Sequence, residues 1–340
     1  MITRREFLVG AAVAAGAAMI RTASPARAGV PVSAARKSRV VVIRHEVLAG
    51  DPQAIAPERI RELLDEAAKA LAGQAKPADA WARWFKPADR LGVKVNCLGY
   101  VTRPTVAAAL AASVGAIGLP PGQVVVWDRT NRELQAAGYQ LRGDGAGPRC
   151  FGTDALMARG NGGYTAEVVA SGAIGSLYSR IITDETTALA SVCVLKDHNL
   201  AGLSCSLKNF FGAIHNPNKY HENGCDPFVA DACAHPLIRD RLRLAVCDAM
   251  RPQFQGGPSL RPQWQWPYSG LIVGTDPVAV DRVACEVLSR KRAAVGMPPL
   301  EAEKRPVRYL ASAQLRGLGT ADLADIEVVS IGKAWMDVTG

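Results

Sequence analysis

Residues 92–128 read GVKVNCLGYVTRPTVAAALAASVGAIGLPPGQVVVWD. This stretch predicts two short apolar strands, residues 92–95 and 123–127, joined by an alanine-rich helix over residues 104–117. A polar residue follows each strand: Asn96 after the first and Asp128 after the second. Two strands joined by a helix form a parallel β-α-β unit, so the stretch predicts an α/β fold.

The rest of the chain repeats this alternation of strands and helices. Further strands are predicted over residues 39–44, 191–195, 244–247 and 326–331, and further helices over residues 57–72 and 306–316 and after a capping Asp276. Because the strands are continuously apolar, we expect a mostly parallel sheet covered by helices on both faces. Ligands bind such sheets beyond the carboxyl ends of the strands, so polar residues at those ends are site candidates. These residues are Asn96, Asp128, Lys196 and Asp248. The alternative is that each of them only caps a turn.

The first 28 residues have the pattern of a twin-arginine signal peptide. Arg4 and Arg5 precede an apolar run over residues 9–20, and Pro-Ala-Arg-Ala at residues 25–28 resembles a cleavage site. We therefore expect the twin-arginine export machinery as a partner, a periplasmic location, and one α/β domain, of one or two lobes, over residues 29–340. The alternative is an uncleaved amphipathic anchor. Since no later stretch has about 18 uninterrupted apolar residues, no stable membrane anchor is expected.

The formal net charge is +9, and residues 1–28 carry +3 of it, so +6 remains beyond them. The basic residues are scattered and no nucleic-acid-binding motif is found, so the charge favours solubility and nucleic acid is not an expected partner.

All eight cysteines lie beyond residue 28. An even number in an exported protein makes disulfides plausible, with Cys205, Cys225 and Cys233 among the candidates. Cys193, Cys247 and Cys285 lie in apolar runs, where buried free thiols are the alternative.

Histidines concentrate in one region of the chain. Four of the five lie between residues 198 and 235, namely His198, His215, His221 and His235. Imidazole and thiolate are ligands of transition metals, so a metal is an expected cofactor, with His198 and His221 as its candidate ligands. The same region holds Lys208, beside Phe210 and Phe211. A lysine among packed aromatics can have a lowered pKa and act as a nucleophile or anchor; the alternative is an extended surface lysine.

The motifs of this region resemble the domain-of-unknown-function 362 (DUF362) family. They are Lys-Asp-His at residues 196–198, Leu-Lys-Asn-Phe-Phe-Gly at residues 207–212, and His221. The resemblance covers residues 39–332. The family is associated with iron–sulfur ferredoxin modules, but this chain has no Cys-x-x-Cys motif, so a ferredoxin-type cluster is not expected.

A more distant resemblance is to the nickel-pincer lactate racemases. It would make His198 the proton-transfer group, Lys208 the covalent anchor of the cofactor, and His221 a nickel ligand. That family also uses a second acid/base histidine in its N-terminal half, where His45 is the only candidate.

Two functional hypotheses follow. The preferred one is an exported metal- or cofactor-binding protein, either an oxidoreductase or an isomerase acting on a small polar molecule. His198 and Lys208 would be catalytic, and the cofactor-binding residues would be Lys196, Lys208, Asn209, Asp128 and Asp248. The alternative is a non-catalytic periplasmic binding or assembly protein stabilised by disulfides. A loop over residues 253–268, with Trp264 and Trp266, would be either a lid or a pinned surface loop.

Overall fold

The computed structural model describes residues 37–50 and 54–339, which belong to one compact unit. The predicted signal peptide over residues 1–28 lies outside the described residues and stays a prediction. Within the described ranges, no helix is both long enough and apolar enough to cross a membrane.

A nine-stranded sheet forms the centre of the described fold. Its strands are β1 (Ser38–Arg44), β2 (Leu91–Val95), β3 (Val124–Trp127), β4 (Arg149–Cys150), β7 (Ala188–His198), β8 (Gly202–Ser204), β9 (Leu242–Gln253), β10 (Gly270–Gly274) and β11 (Ile326–Gly332). A separate hairpin pairs β5 (Val169–Ser171) with β6 (Ile174–Ser176). The order across the large sheet is β11-β1-β10-β9-β7-β2-β3-β4, and β8 folds back on β7.

Neighbouring strands along this order are parallel except where β10 pairs with β1 and β9. The prediction of an α/β fold with a mostly parallel sheet is therefore confirmed.

Helices cover both faces of the sheet. They are α1 (Pro57–Ala72), α2 (Pro77–Trp81), α3 (Pro104–Gly115), α4 (Asn131–Ala136), α5 (Phe228–Ala234), α6 (Pro236–Arg239), α7 (Pro277–Ala294) and α8 (Tyr309–Leu315). The alternation of β1 shows the two faces: Val41 packs in the core that contains α1 and α3, and Val42 packs in the core that contains α7. A third core joins α5 and α8 to Trp127 of β3.

Two strands run further than their sequence predicted. Lys196 was expected to follow its strand, but it lies inside β7, because the hairpin pairs Lys196 with Ser204 and His198 with Gly202. Asp248 likewise lies inside β9, opposite Leu271 of β10. β10 itself was missed, since its apolar core is only three residues long between two glycines.

Two aspartates of this region have structural roles. Asp276 caps α7 as expected, accepting hydrogen bonds from Val278 and Ala279 N–H at 2.9 Å each. Asp281, inside α7, is fully buried and accepts the N–H groups of Ser206 and Leu207.

Candidate functional site

A cavity of about 270 Å³ opens at the carboxyl ends of β2, β3 and β7. Its lining includes seven polar residues that bear on its chemistry, namely Lys94, Asp128, Lys196, His198, Lys208, Asn209 and His221. The structure thus brings together six of the seven residues that were assigned a catalytic, cofactor-binding or metal-binding role, and the strand-end candidate Asn96 lines the same cavity. This is the edge of the sheet where the strand-end rule places ligands. We call this cavity the strand-end pocket.

Asp248 is the predicted site residue that the structure does not bring to the pocket. Its Oδ2 pairs with Arg103 Nη1 at 2.5 Å, and its Oδ1 accepts the N–H of Met250 at 3.1 Å. Because Asp248 lies inside a strand, its carboxylate serves these neighbours instead of a ligand.

Lys94 forms the floor of the strand-end pocket. Its Nζ donates to Val95 O at 2.6 Å, to Asp128 Oδ1 at 2.7 Å and to Asn209 Oδ1 at 3.2 Å, and its side chain is 1% exposed. All three ammonium protons are therefore committed. The sequence signal for this residue is a lysine in the middle of an apolar strand, which is costly unless the charge is paired.

The side chains of Asp128 and Asn209 are also engaged in hydrogen bonds within the protein. Asp128 Oδ2 accepts the N–H of Cys97 at 2.7 Å, and Oδ1 also accepts the N–H of Arg129 at 2.9 Å. Asn209 Nδ2 donates to a backbone carbonyl of β2 at 2.8 Å and to Ser191 Oγ at 3.1 Å. These two predicted cofactor-binding residues thus hold the pocket together, and little of their hydrogen-bonding capacity remains for a ligand.

Lys196, unlike Lys94, is held by two backbone carbonyls and by no carboxylate among the described residues. Its Nζ donates to the carbonyls of Leu98 at 2.7 Å and Tyr100 at 2.6 Å. Burial, and after it the positive charge of Lys208, lowers the pKa of Lys196 to about 7. The amine therefore changes its charge near neutral pH, and its charged form has one proton left for a ligand.

Lys208 and His221 form a pair in the lining of the same pocket. Lys208 Nζ lies 3.2 Å from His221 Nε2 and 4.3 Å from the centre of the Phe211 ring. Burial lowers the pKa of Lys208 to about 8. His221 Nδ1 donates to Pro217 O at 3.0 Å, which leaves the lone pair on Nε2, and burial followed by the charge of Lys208 lowers the pKa of His221. The lysine ammonium therefore donates to the imidazole.

His198 has the opposite tautomer. Its Nδ1 accepts the N–H groups of Leu200 and Ala201, each at 3.2 Å, so the ring proton lies on Nε2. Burial, and then the charge of Lys208, lowers the pKa of His198 to about 2. The rings of His198 and His221 stack with centroids 5.7 Å apart. One imidazole is thus a fixed donor and the other a fixed acceptor.

These tautomers bear on the predicted metal ligands. A histidine binds a metal through an unprotonated nitrogen, usually with the other N–H donated to an acceptor. His221 meets this condition, because its Nδ1–H is donated to Pro217 O. His198 does not, because its unprotonated Nδ1 already accepts two backbone N–H groups. Among the described residues, one group of three His, Cys, Asp or Glu side chains is close enough to share an ion, and it consists of Cys193, Cys205 and Cys247.

The pocket has an excess of positive charge. Lys94 is balanced by Asp128, and Arg129 is balanced by Glu133, whose Oε1 lies 3.1 Å from the guanidinium. Lys196 and Lys208 contribute two charges that no carboxylate in the pocket lining pairs with. An anionic ligand would therefore be attracted, and its charge would favour the protonated lysines.

The other histidines have structural positions. His45 accepts the N–H of Val47 at the start of a 3₁₀ turn after β1, and His235 accepts the N–H of Leu237 at the start of α6. His215 is exposed, with its ring edge against Tyr164. None of the three lines the strand-end pocket. His45 therefore does not supply the second acid/base histidine there.

The loop of residues 215–225 owes its Asn and Gly content to backbone conformation. Asn216, Asn223, Gly224 and Cys225 all have positive φ angles between 48° and 68°, where Asn and Gly are favoured. The turns of the loop thus explain its composition.

The aromatic loop over residues 253–268 is pinned by its own tryptophans. Trp264 and Trp266 each pack edge-on against Phe254 at 5.7 Å, and Trp266 is 3% exposed. The loop contributes Pro258 to the pocket lining, while both tryptophans pack within the loop.

The disulfide prediction is not supported. All eight cysteines lie within the described residues, and each has a free thiol. Cys205, Cys225 and Cys233, the candidates for bridges, are buried in two different cores.

The family comparison agrees with these motifs. A family model described as Domain of unknown function (DUF362) matches residues 91–286, a span that contains every pocket residue discussed above. No curated protein matches the chain.

Proposed function

The chain belongs to the DUF362 family, a domain of unknown function, and we propose from the pocket itself that the protein binds a small organic anion and moves a proton on the carbon beside its carboxylate. The observation that carries this proposal is the pair of opposite tautomers at His198 and His221 beside two unbalanced lysines. A fixed donor and a basic pair facing one pocket are the elements of general acid–base catalysis.

The proposed roles follow from the hydrogen bonds. The Lys196 ammonium and the Nε2–H of His198 bind the carboxylate and the oxygen that gains negative charge. Lys208, in its neutral form, takes the proton from the neighbouring carbon and becomes an ammonium. His221 Nε2 accepts a hydrogen bond from this ammonium and positions it. Because the pKa of His221 is lowered, the proton stays on Lys208.

A cofactor-dependent form of the same chemistry is the second candidate. The lone pair of His221 Nε2 and the adjacent Lys208 amine support it, since they would hold a metal and an anchored group as the resemblance to nickel-pincer racemases implies. A bound metal would supply stabilisation of negative charge on the substrate. His198 would keep its role as hydrogen-bond donor. Redox chemistry would depend on such a group.

Proton transfer is expected to appear as exchange of carbon-bound hydrogen for deuterium. The purified protein in D₂O would be incubated with small carboxylates bearing a hydroxyl, oxo or amino group on the neighbouring carbon, and proton NMR would follow that carbon. We expect exchange with at least one compound and a decrease of about a hundredfold in Lys208→Met, since loss of a general base has effects of that order. Lys219→Met, at an exposed lysine in the loop of residues 215–225, should exchange at the wild-type rate.

The pH dependence of kcat/KM for this exchange supplies a second readout. Activity should rise toward about pH 8 as Lys208 loses its proton and fall above about pH 7 as Lys196 loses its charge, giving a maximum near pH 7.5. Lys196→Met should lose the alkaline decrease. Equal exchange in Lys208→Met would refute the base assignment, and no exchange with any compound would refute the function.

We also propose that the protein acts in the periplasm after twin-arginine export. The support is the sequence of residues 1–28, with paired arginines, an apolar run and a small-residue ending. The exported protein is then expected to begin at Gly29, which N-terminal sequencing of the periplasmic fraction would check. An intact Met1 in that fraction would contradict cleavage.

A further inference from the structure

Three thiols meet in the core, outside the strand-end pocket. Cys205 Sγ lies 3.5 Å from Cys193 Sγ and 3.4 Å from Cys247 Sγ, and all three sulfurs lie within 4.8 Å of one another. Each residue is at most 1% exposed. We call these residues the thiol cluster. Nothing in the proposed function uses it.

Strand pairing builds the thiol cluster. Cys193 of β7 is directly opposite Cys247 of β9 in the parallel register, and the β7–β8 hairpin returns Cys205 to the same region. All three belong to the apolar core that contains Val280 and Ala284 of α7. The fold therefore fixes three sulfur atoms side by side in dry surroundings, although they lie 12 and 42 residues apart along the chain.

The three thiols differ in acidity. Burial raises the pKa of the Cys205 and Cys247 thiols, whereas at Cys193 the hydrogen bonds with these two residues outweigh burial and lower the pKa of its thiol. The buried carboxylate of Asp281 accepts two backbone N–H groups and also interacts with Cys205.

We propose that the thiol cluster is a three-sulfur binding site for Cu(I). Thiolate ligands select soft ions such as Cu(I) and Zn²⁺. Zinc, however, takes four ligands in structural sites and three plus a water in catalytic sites. Here Cys193, Cys205 and Cys247 are the group of three described side chains that can share an ion, and each is at most 1% exposed to solvent. Three-coordination by sulfur therefore favours Cu(I).

The geometry agrees with this choice. A metal at about 2.3 Å from each of three sulfurs needs sulfur–sulfur separations of about 4.0 Å, so the observed 3.4 and 3.5 Å must lengthen by about half an ångström. On binding, copper forms bonds to the three sulfurs as thiolates, and the three thiol protons leave to solvent. No electron is transferred, because copper enters as Cu(I).

The test is copper loading of the full chain during expression, because the sulfurs are buried once the chain has folded. Cells would be supplied with copper salt, and the protein would be purified under reductant and dialysed against a Cu(I) chelator. We expect about one copper per chain by elemental analysis and copper-edge X-ray absorption from three sulfur ligands. Parallel loading with zinc should leave less than a tenth as much bound metal.

Variants separate this site from the strand-end pocket. Cys193→Ser with Cys247→Ser should lose at least nine-tenths of the copper, whereas Cys233→Ser, a buried cysteine in another core, and His198→Gln with His221→Gln should retain it. The proposal would be overturned if the wild type bound no copper or bound it through nitrogen. It would also be overturned if the double cysteine variant retained copper, or if zinc bound to the same extent. The wild-type absorption spectrum decides the ligand set even if a cysteine variant fails to fold.

Discussion

Asp128→Ala is expected to lower the free energy of unfolding by about 3–5 kcal/mol, because it leaves the Lys94 ammonium buried without its counter-ion. The two side chains are 1% and 7% exposed, and Nζ lies 2.7 Å from Oδ1. The substitution also removes the acceptor of the Cys97 and Arg129 N–H groups. The strand-end pocket would therefore lose its floor together with its stability.

Urea denaturation at neutral pH measures this loss, and the chain offers a matched control. Arg39 and Glu327 form a pair of similar length, 2.9 Å, but their side chains are 31% and 47% exposed. Glu327→Ala should cost no more than about 1 kcal/mol. The double variant Lys94→Met with Asp128→Ala should recover part of the loss, since the unpaired charge is gone. If Asp128→Ala were no more destabilising than Glu327→Ala, the buried-pair interpretation would be wrong.

Lys196→Met is expected to change how stability depends on pH. In the folded protein the pKa of Lys196 is lowered to about 7, whereas an unfolded lysine keeps its proton to about pH 10.4. Between these values the unfolded state holds one more proton, so the stability of the wild type rises with pH, by about 1.4 kcal/mol per unit. Relative to Lys196→Met, the wild type should gain about 3 kcal/mol between pH 7 and pH 9.5.

Comparing the two proteins at each pH cancels the titration of the cysteines and tyrosines that they share. The substitution leaves the carbonyls of Leu98 and Tyr100 with a donor, because Asn96 Nδ2 also reaches both. At pH 6, where the wild type must hold a buried ammonium, the variant should be at least as stable. Lys219→Met, at an exposed position, should differ from the wild type by a constant amount. A constant difference for Lys196→Met as well would mean that Lys196 titrates like a solvent lysine.

Local signals in the sequence predicted most of the fold. The helix over residues 57–72 is confirmed at both ends, because Pro57 begins it and Gly73 ends it in the left-handed conformation, φ 64°. The β-α-β unit is confirmed too, with its helix ending two residues earlier, at Gly115. Signals of this kind depend on a few neighbouring residues. β10 lacked one, since only three apolar residues stand between its two glycines.

The site was predictable only in part, because it depends on pairings between distant segments. Lys196 and Lys208 stood out by residue type and position. The commitment of Asp128 and Asn209 to Lys94 could not be foreseen, since Lys94 lies 34 and 115 residues away from them along the chain. The thiol cluster was hidden for the same reason: Cys193 and Cys247 meet only through the register of β7 and β9.

Asp281 holds the short segment that connects the thiol cluster to the strand-end pocket. Its carboxylate holds Ser206 and Leu207 N–H at 2.7 and 3.1 Å, and these two residues connect Cys205 of the thiol cluster to Lys208 of the strand-end pocket. Because Cys205 and Lys208 lie three residues apart on a segment held by one buried carboxylate, a substitution that displaces the backbone at Cys205 is expected to displace Lys208 as well.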